Sequence, residues 1–361
     1  MITYAIVLCL VFFFSYSAEK SCKRNINING SVAVNKTADT KIFLFVVIAV
    51  LVVTAGCRYY VGTDYGNYVI SYEQEYSKLR WSDILKLDEP IFPMIGALSH
   101  KLFNSYFPMF FIASVISVGL MLYSTYKETT DYLFVSLLYL FAGGWVGTFN
   151  GVRQYLAVTI VFLGRRYISE RKFWKFLLVC LVAFLAHKSA LFFILVYFVY
   201  SEEFTPLRLL AVIIITVVVS RSYETIFDFI GWIKEEEFVA DSYALRSVNI
   251  LRILVGCAPA ILAIYLAFTR KLDKQQIFYA YILVANAAIW IATADSAYLA
   301  RLALYTGVFV PLGLNSVLKS CDERYRKLLH MIVILLYMFF WIYDILASSS
   351  LREFRWIFNY L

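Results

Sequence analysis

Apolar runs of about 15–20 residues recur along the whole of this 361-residue chain, and that recurrence decides the solvent in which it folds. Hydrophobic residues make up 61% and charged residues only 16%, with a mean hydropathy of +0.72. A water-soluble domain could not cover that much apolar surface. The chain therefore reads as an all-α, polytopic integral membrane protein. Twelve spans are predicted, at about 2–17, 42–57, 107–124, 132–149, 151–168, 173–186, 189–203, 207–221, 248–269, 276–293, 299–318 and 328–346. The first run lacks a basic leader and is followed by Glu19 and Lys20, so it reads as a retained span rather than a cleaved signal. Segment 90–104, with Pro90, Pro93 and His100, reads as an outer-face or re-entrant helix.

Orientation follows from Lys and Arg. With the N-terminus outside, the cytoplasmic segments hold more than half of the 33 basic residues and fewer than half of the 25 acids. Both termini are then outside, and outer loops fall at about 58–106 and 222–247 of a single transmembrane domain, 1–361. Glu235, Glu236 and Glu237 read as a solvated loop face. The net charge of +8 is explained by topogenic loops, so nucleic-acid binding is not expected. Six scattered cysteines have no metal or disulfide spacing, and no phosphate loop or hydrolase motif is present, so neither a metal nor a cofactor is expected.

Four cations run against the topogenic trend: Arg58, Arg153, Lys188 and Arg301 each fall near the outer end of a span. A cation so placed beside apolar helix usually binds something. Each lies in a polar constellation. Arg58 opens RYYVGTDYGNY, in which Arg58 suits phosphate, Asp64 would orient it or act as base, and Tyr65 and Tyr68 would stack on sugar rings. The plainer reading is a membrane-exit turn with interfacial tyrosines. Glu89, in Asp88-Glu89-Pro90, is a helix start or a carboxylate for sugar hydroxyls. Asn150, Arg153 and Gln154 are spaced to share one helical face inside very apolar sequence. In AHKSA, His187 has a base's intrinsic pKa, Lys188 suits an anion, and Ser189 could cap the next helix. Tyr298, Arg301 and Tyr305 again fall on one helical face, with an Asp295–Arg301 pair as the structural alternative.

These pieces resemble the EpsG family of bacterial polysaccharide polymerases, relatives of the Wzy-type O-antigen polymerases. The resemblance rests on RYYVGTDYGNY at 58–68, EP at 89–90, FNGVRQYLA at 149–157, HKSALFF at 187–193 and YLARLALY at 298–305. The glycine-rich approach to the arginine motif, with Gly143, Gly144 and Gly147, departs from it. The first and last 40 residues or so add only hydropathy. The resemblance implies a GT-C-like, metal-independent glycosyltransferase at the outer face of the bacterial cytoplasmic membrane. It would join oligosaccharide units carried on undecaprenyl diphosphate into O-antigen, capsule or exopolysaccharide. A chain-length regulator and a flippase of the same pathway are the implied partners. Arginine forks suit a departing diphosphate, so Arg153 and Arg301 would hold it, supported by Arg58 and Lys188. His187 is the first candidate base, ahead of Asp64 and Glu89, while Asn150 and Gln154 orient Arg153 or a sugar. A flippase or exporter would line a path through the inner half as well. A membrane acyltransferase leaves the arginines unexplained, and an O-antigen ligase shares nearly all the chemistry.

Overall fold

The computed structural model describes residues 1–26, 32–199, 201–233 and 247–360. It is helical apart from one antiparallel pair of short strands, Lys23–Ile26 and Val32–Asn35. Among the described residues six helices are long and apolar enough to cross a bilayer, or seven if the bent pair Leu299–Gly307 and Val310–Leu318 makes one span. A polytopic membrane protein is what such a set requires, since only helices or closed barrels satisfy their backbone groups in lipid.

Among the described residues six or seven such helices stand where hydropathy predicts twelve spans. Windows in the middle of the chain form shorter apolar helices, among them Tyr132–Phe141, Phe173–Phe184 and the largely 3₁₀ stretch Lys188–Phe198. The reason is local. Gly143, at φ +84°, breaks the run that starts at Tyr132, and the chain turns through a 3₁₀ helix, Val146–Phe149, before the next helix begins at Val152. The side chain of Tyr155 fills the space this leaves, donating to the Gly143 carbonyl at 3.2 Å and lying against Gly147. Pro206–Ile233 continues as helix into the region predicted as the second outer loop, and Glu235–Glu237 fall outside the described residues.

Contacts divide the chain into two compact units. The first comprises 1–163, 179–190 and 330–361; the second comprises 164–178 and 191–329. In the first, α1 (Ile2–Ser21) packs on α2 (Ala38–Gly56) and on Tyr132–Phe141. Tyr4, Val7, Val11, Ser15 and Ala18 form its buried stripe at three-to-four-residue spacing, while Phe12 and Phe13 face outward. The predicted outer loop 58–106 is built of short helices: α3 (Tyr65–Gln74), two brief turns, and α4 (Ile91–Phe103). In the second unit, α5 (Lys274–Ala292) is buried on nearly every side, with Ile250–Thr269, Pro206–Ile233 and Val310–Leu318 packed around it. It starts at a capping box, in which Asp273 accepts from the Gln276 N–H at 2.8 Å and the Gln276 side chain accepts from the Asp273 N–H at 2.9 Å.

Candidate active site

The first unit gathers charged side chains from three separate stretches of chain. Glu89 precedes Pro90, which caps α4, and its carboxylate faces two ways. Its Oε2 accepts from Arg153 Nη1 at 2.9 Å, and its Oε1 accepts from the Lys188 backbone N–H at 2.8 Å. Lys188 Nζ pairs with Asp88 at 2.6 Å. Glu89 is largely covered, at 15% exposure, whereas Arg153 and Lys188 keep 42% and 31%. Arg153 is thus held by a covered carboxylate and Lys188 by an exposed one, Asp88 at 41%, and both cations still present open surface. Tyr68, from α3, hydrogen-bonds the side chain and the backbone N–H of Arg153. Burial raises the pKa of the Tyr68 hydroxyl and the Arg153 charge opposes the rise, so the phenol stays neutral.

The arginine motif does not present a single helical face. Asn150 ends the 3₁₀ turn, Gly151 follows, and the helix Val152–Leu163 starts after it. Gln154 is buried and Arg153 points to open surface, so the two amides and the guanidinium are dispersed by the helix break. Asn150 instead holds the loop after α2: its Oδ1 accepts from the Thr63 N–H at 2.7 Å and from Thr63 Oγ1 at 3.3 Å. Thr63 Oγ1 also approaches Asp64 Oδ1 at 3.0 Å. Asp64 is half-buried and has no cation partner among the described residues.

Arg58 is placed where substrate cannot reach it. It is 1% exposed, and its guanidinium donates to the backbone carbonyls of Val61 (3.1 Å), Phe149 (3.2 Å) and Ala55. The rings of Tyr65, Phe110 and Phe149 surround it at 5.1–5.5 Å. Burial lowers its pKa to about 10, opposed by Tyr65 and Tyr68, so it remains a cation at neutral pH. Arg58 is therefore a framework residue here, not a surface ligand. Tyr65 is likewise internal, stacked on Phe110 at 4.3 Å, which takes it out of sugar stacking.

His187 is half-buried beside Lys188. Its Nδ1 accepts from the Ser189 N–H at 3.3 Å and lies 2.7 Å from Ser189 Oγ. A backbone N–H can only donate, so Nδ1 is the acceptor in this contact, and a neutral ring then carries its proton on Nε2.

Tyr298 and Arg301 belong to the second unit. They fall in and beside a 3₁₀ turn, Leu299–Ala303, which passes into α-helix at Leu304. That change of pitch takes Tyr305 off the face expected for all three. Arg301 is exposed, Tyr298 half-buried, and Tyr305 buried against Phe193 in the wall of a small apolar cavity. Asp295 pairs with Arg221 at 2.8 Å, not with Arg301.

Among the described residues no cluster of His, Cys, Asp or Glu has the arrangement of a metal site. The EpsG family model matches residues 41–360. The chain belongs to the EpsG family. Its members are Wzy-type polymerase-like proteins, which gives this one a polysaccharide-polymerase-like function in a membrane. No curated protein and no solved structure matches significantly. The match extends well past residue 305 and takes in the segment 348–360, which hydropathy alone left without meaning. That segment pairs with the loop after α2, where Tyr59 N–H donates to the Arg355 carbonyl and Ile357 N–H to the Cys57 carbonyl, each at 2.9 Å. Asp88 was another omission from the predicted site, although its place beside Glu89 marks it.

Proposed function

We propose that this EpsG-family protein polymerises oligosaccharide units carried on a polyprenyl diphosphate, undecaprenyl diphosphate in bacteria, at the outer face of the cytoplasmic membrane. The observation that carries the reading is the Arg153–Glu89–Lys188–Asp88 cluster: two half-open cations held in place by carboxylates, among apolar helices. In the transfer, an acceptor hydroxyl oxygen attacks the anomeric carbon of the donor chain. The bond from that carbon to the diphosphate oxygen breaks, and the diphosphate leaves with the electron pair. Arg153 and Lys188 stabilise the developing charge where water is scarce, and His187 Nε2–H donates to the same group or to a sugar oxygen. No metal is required by this scheme, in keeping with a GT-C-like transferase. The hydroxyl proton goes to Asp64, which has no cation partner among the described residues. Glu89 is a weaker base because its charge is already engaged.

The test is chain growth by purified protein supplied with lipid-linked repeat units. Arg153→Ala that inserts normally should leave the units unjoined; chain growth at the normal rate would overturn the reading. In cells, deletion should leave single repeat units on the final glycolipid. Complete loss of surface glycan would point to a flippase or a ligase instead.

A further inference from the structure

The segment 348–360 does more than close the fold. Its backbone is joined to the loop after α2 by the bonds to Tyr59 and Cys57, by the Gly62 N–H on the Ser350 carbonyl at 3.1 Å, and by an antiparallel bridge between Arg58 and Trp356. The join assembles aromatic side chains from both strands. Tyr59 and Tyr360 stack at 3.9 Å and 20°, Trp356 and Phe358 lie nearly parallel at 6.2 Å, and Tyr60 meets Tyr59 edge-on at 4.9 Å. Tyr60, Phe358 and Tyr360 remain 48%, 59% and 53% exposed.

Tyr60 is the most informative of them. Its φ is +49°, a left-handed conformation that a bulky residue rarely adopts. Burial does not explain it, since the ring stays half exposed. The other half packs on Tyr59 and Tyr65, at 4.9 Å and 5.0 Å, and backbone strain of this kind clusters at ligand-binding sites. Polar side chains alternate with the rings: Arg352, Glu353, Arg355 and Asn359 are all exposed, with Arg355 bonded to Glu353 at 3.1 Å. Rings that offer a flat apolar face, beside guanidinium, carboxylate and amide groups, match the chemistry of a pyranose. Its C–H face stacks on an aromatic, and its hydroxyls both donate and accept. The platform is continuous in backbone with Thr63 and Asp64, only a few residues from Tyr60.

We propose that Tyr59, Tyr60, Trp356, Phe358 and Tyr360 form a carbohydrate-binding platform that holds the glycan part of the substrate next to the transfer site. The assignment of that glycan as a growing chain rests on the polymerase reading.

The test uses the full-length protein in lipid nanodiscs, titrated with lipid-free polysaccharide purified from the cells that express it. Tyr60→Asn removes the ring while keeping a residue that tolerates the left-handed region. Phe358→Ala removes an exposed ring, so neither variant should disturb folding, and an unchanged thermal midpoint checks this. Each should weaken glycan binding about fivefold, the loss expected for one stacked ring. Trp174→Ala, at a 78% exposed ring on Phe173–Phe184, is the control and should bind normally. Binding by Tyr60→Asn and Phe358→Ala equal to that of the unaltered protein, or no binding by the unaltered protein, overturns the proposal and leaves these rings as headgroup anchors. The two readings fail separately, because chain growth in Arg153→Ala bears only on the polymerase.

Discussion

Glu89 holds Arg153 from across the site, Oε2 to Nη1 at 2.9 Å, though the two lie 64 positions apart in sequence. The carboxylate is covered and the guanidinium is not, so the pair fixes Arg153 at one end and leaves its remaining donors available. The pair's worth to stability is modest because the Arg153 side chain is 42% exposed. Its worth to catalysis is positional. Arg153→Ala should reduce chain growth by about 100-fold or more, the usual loss of a charge-stabilising donor. Glu89→Gln should cost about tenfold, because the guanidinium stays but is no longer anchored. The double variant should be no worse than Arg153→Ala alone, and additive losses in a double-mutant cycle would show that the two act independently.

Arg58 and Arg153 should separate cleanly in a second experiment. Arg58 is enclosed by three rings and donates to three carbonyls. Arg58→Ala leaves those buried carbonyls without donors and should destabilise the protein by about 3 kcal/mol or more. Arg153→Ala should shift thermal unfolding in detergent little. The reverse order of midpoints would contradict the framework role given to Arg58.

How much of this could be read from sequence depends on the kind of residue. The membrane class follows from composition, because no other solvent suits so many apolar runs. The pairing of Glu89 with Arg153 and Lys188 was foreshadowed by cations that topology could not explain. What pattern could not show was helix pitch. Asn150, Arg153 and Gln154 look like one face only if the helix is continuous, and Gly143 and Gly151 flank a break in it. Tyr305 leaves the face expected for it, because a 3₁₀ turn has three residues per turn and keeps i and i+3 aligned but not i+7. Burial was equally hidden: Arg58 reads as an exposed ligand until the rings of Tyr65, Phe110 and Phe149 are seen to close around it.

Gly62 marks the tightest approach in the site. Its φ is +103°, and a Cβ there would lie 2.6 Å from the Phe149 carbonyl oxygen and 2.8 Å from Asn150 Oδ1. Both neighbours are fixed, one as backbone and the other by its bond to Thr63. Gly62→Ala should therefore push the Asp64 loop away from the Arg153 helix and cost about 1–3 kcal/mol. A lowered thermal midpoint together with lost chain growth is the expected result. Normal values for both would mean that the crossing is looser than its geometry indicates.

Asp64 tests the proton's route. It is half-buried, it accepts from the Thr63 hydroxyl at 3.0 Å, and no cation neutralises it among the described residues. Asp64→Asn keeps the shape and the hydrogen-bonding reach but cannot take a proton. Chain growth should fall about 100-fold to 1,000-fold with little change in the concentration of lipid-linked units needed for half-maximal rate. His187→Gln should fall less, about tenfold, because a donor is replaced by another donor. If His187→Gln is the more damaged of the two, the proton goes to the imidazole, and the Ser189–His187 contact must open during the reaction.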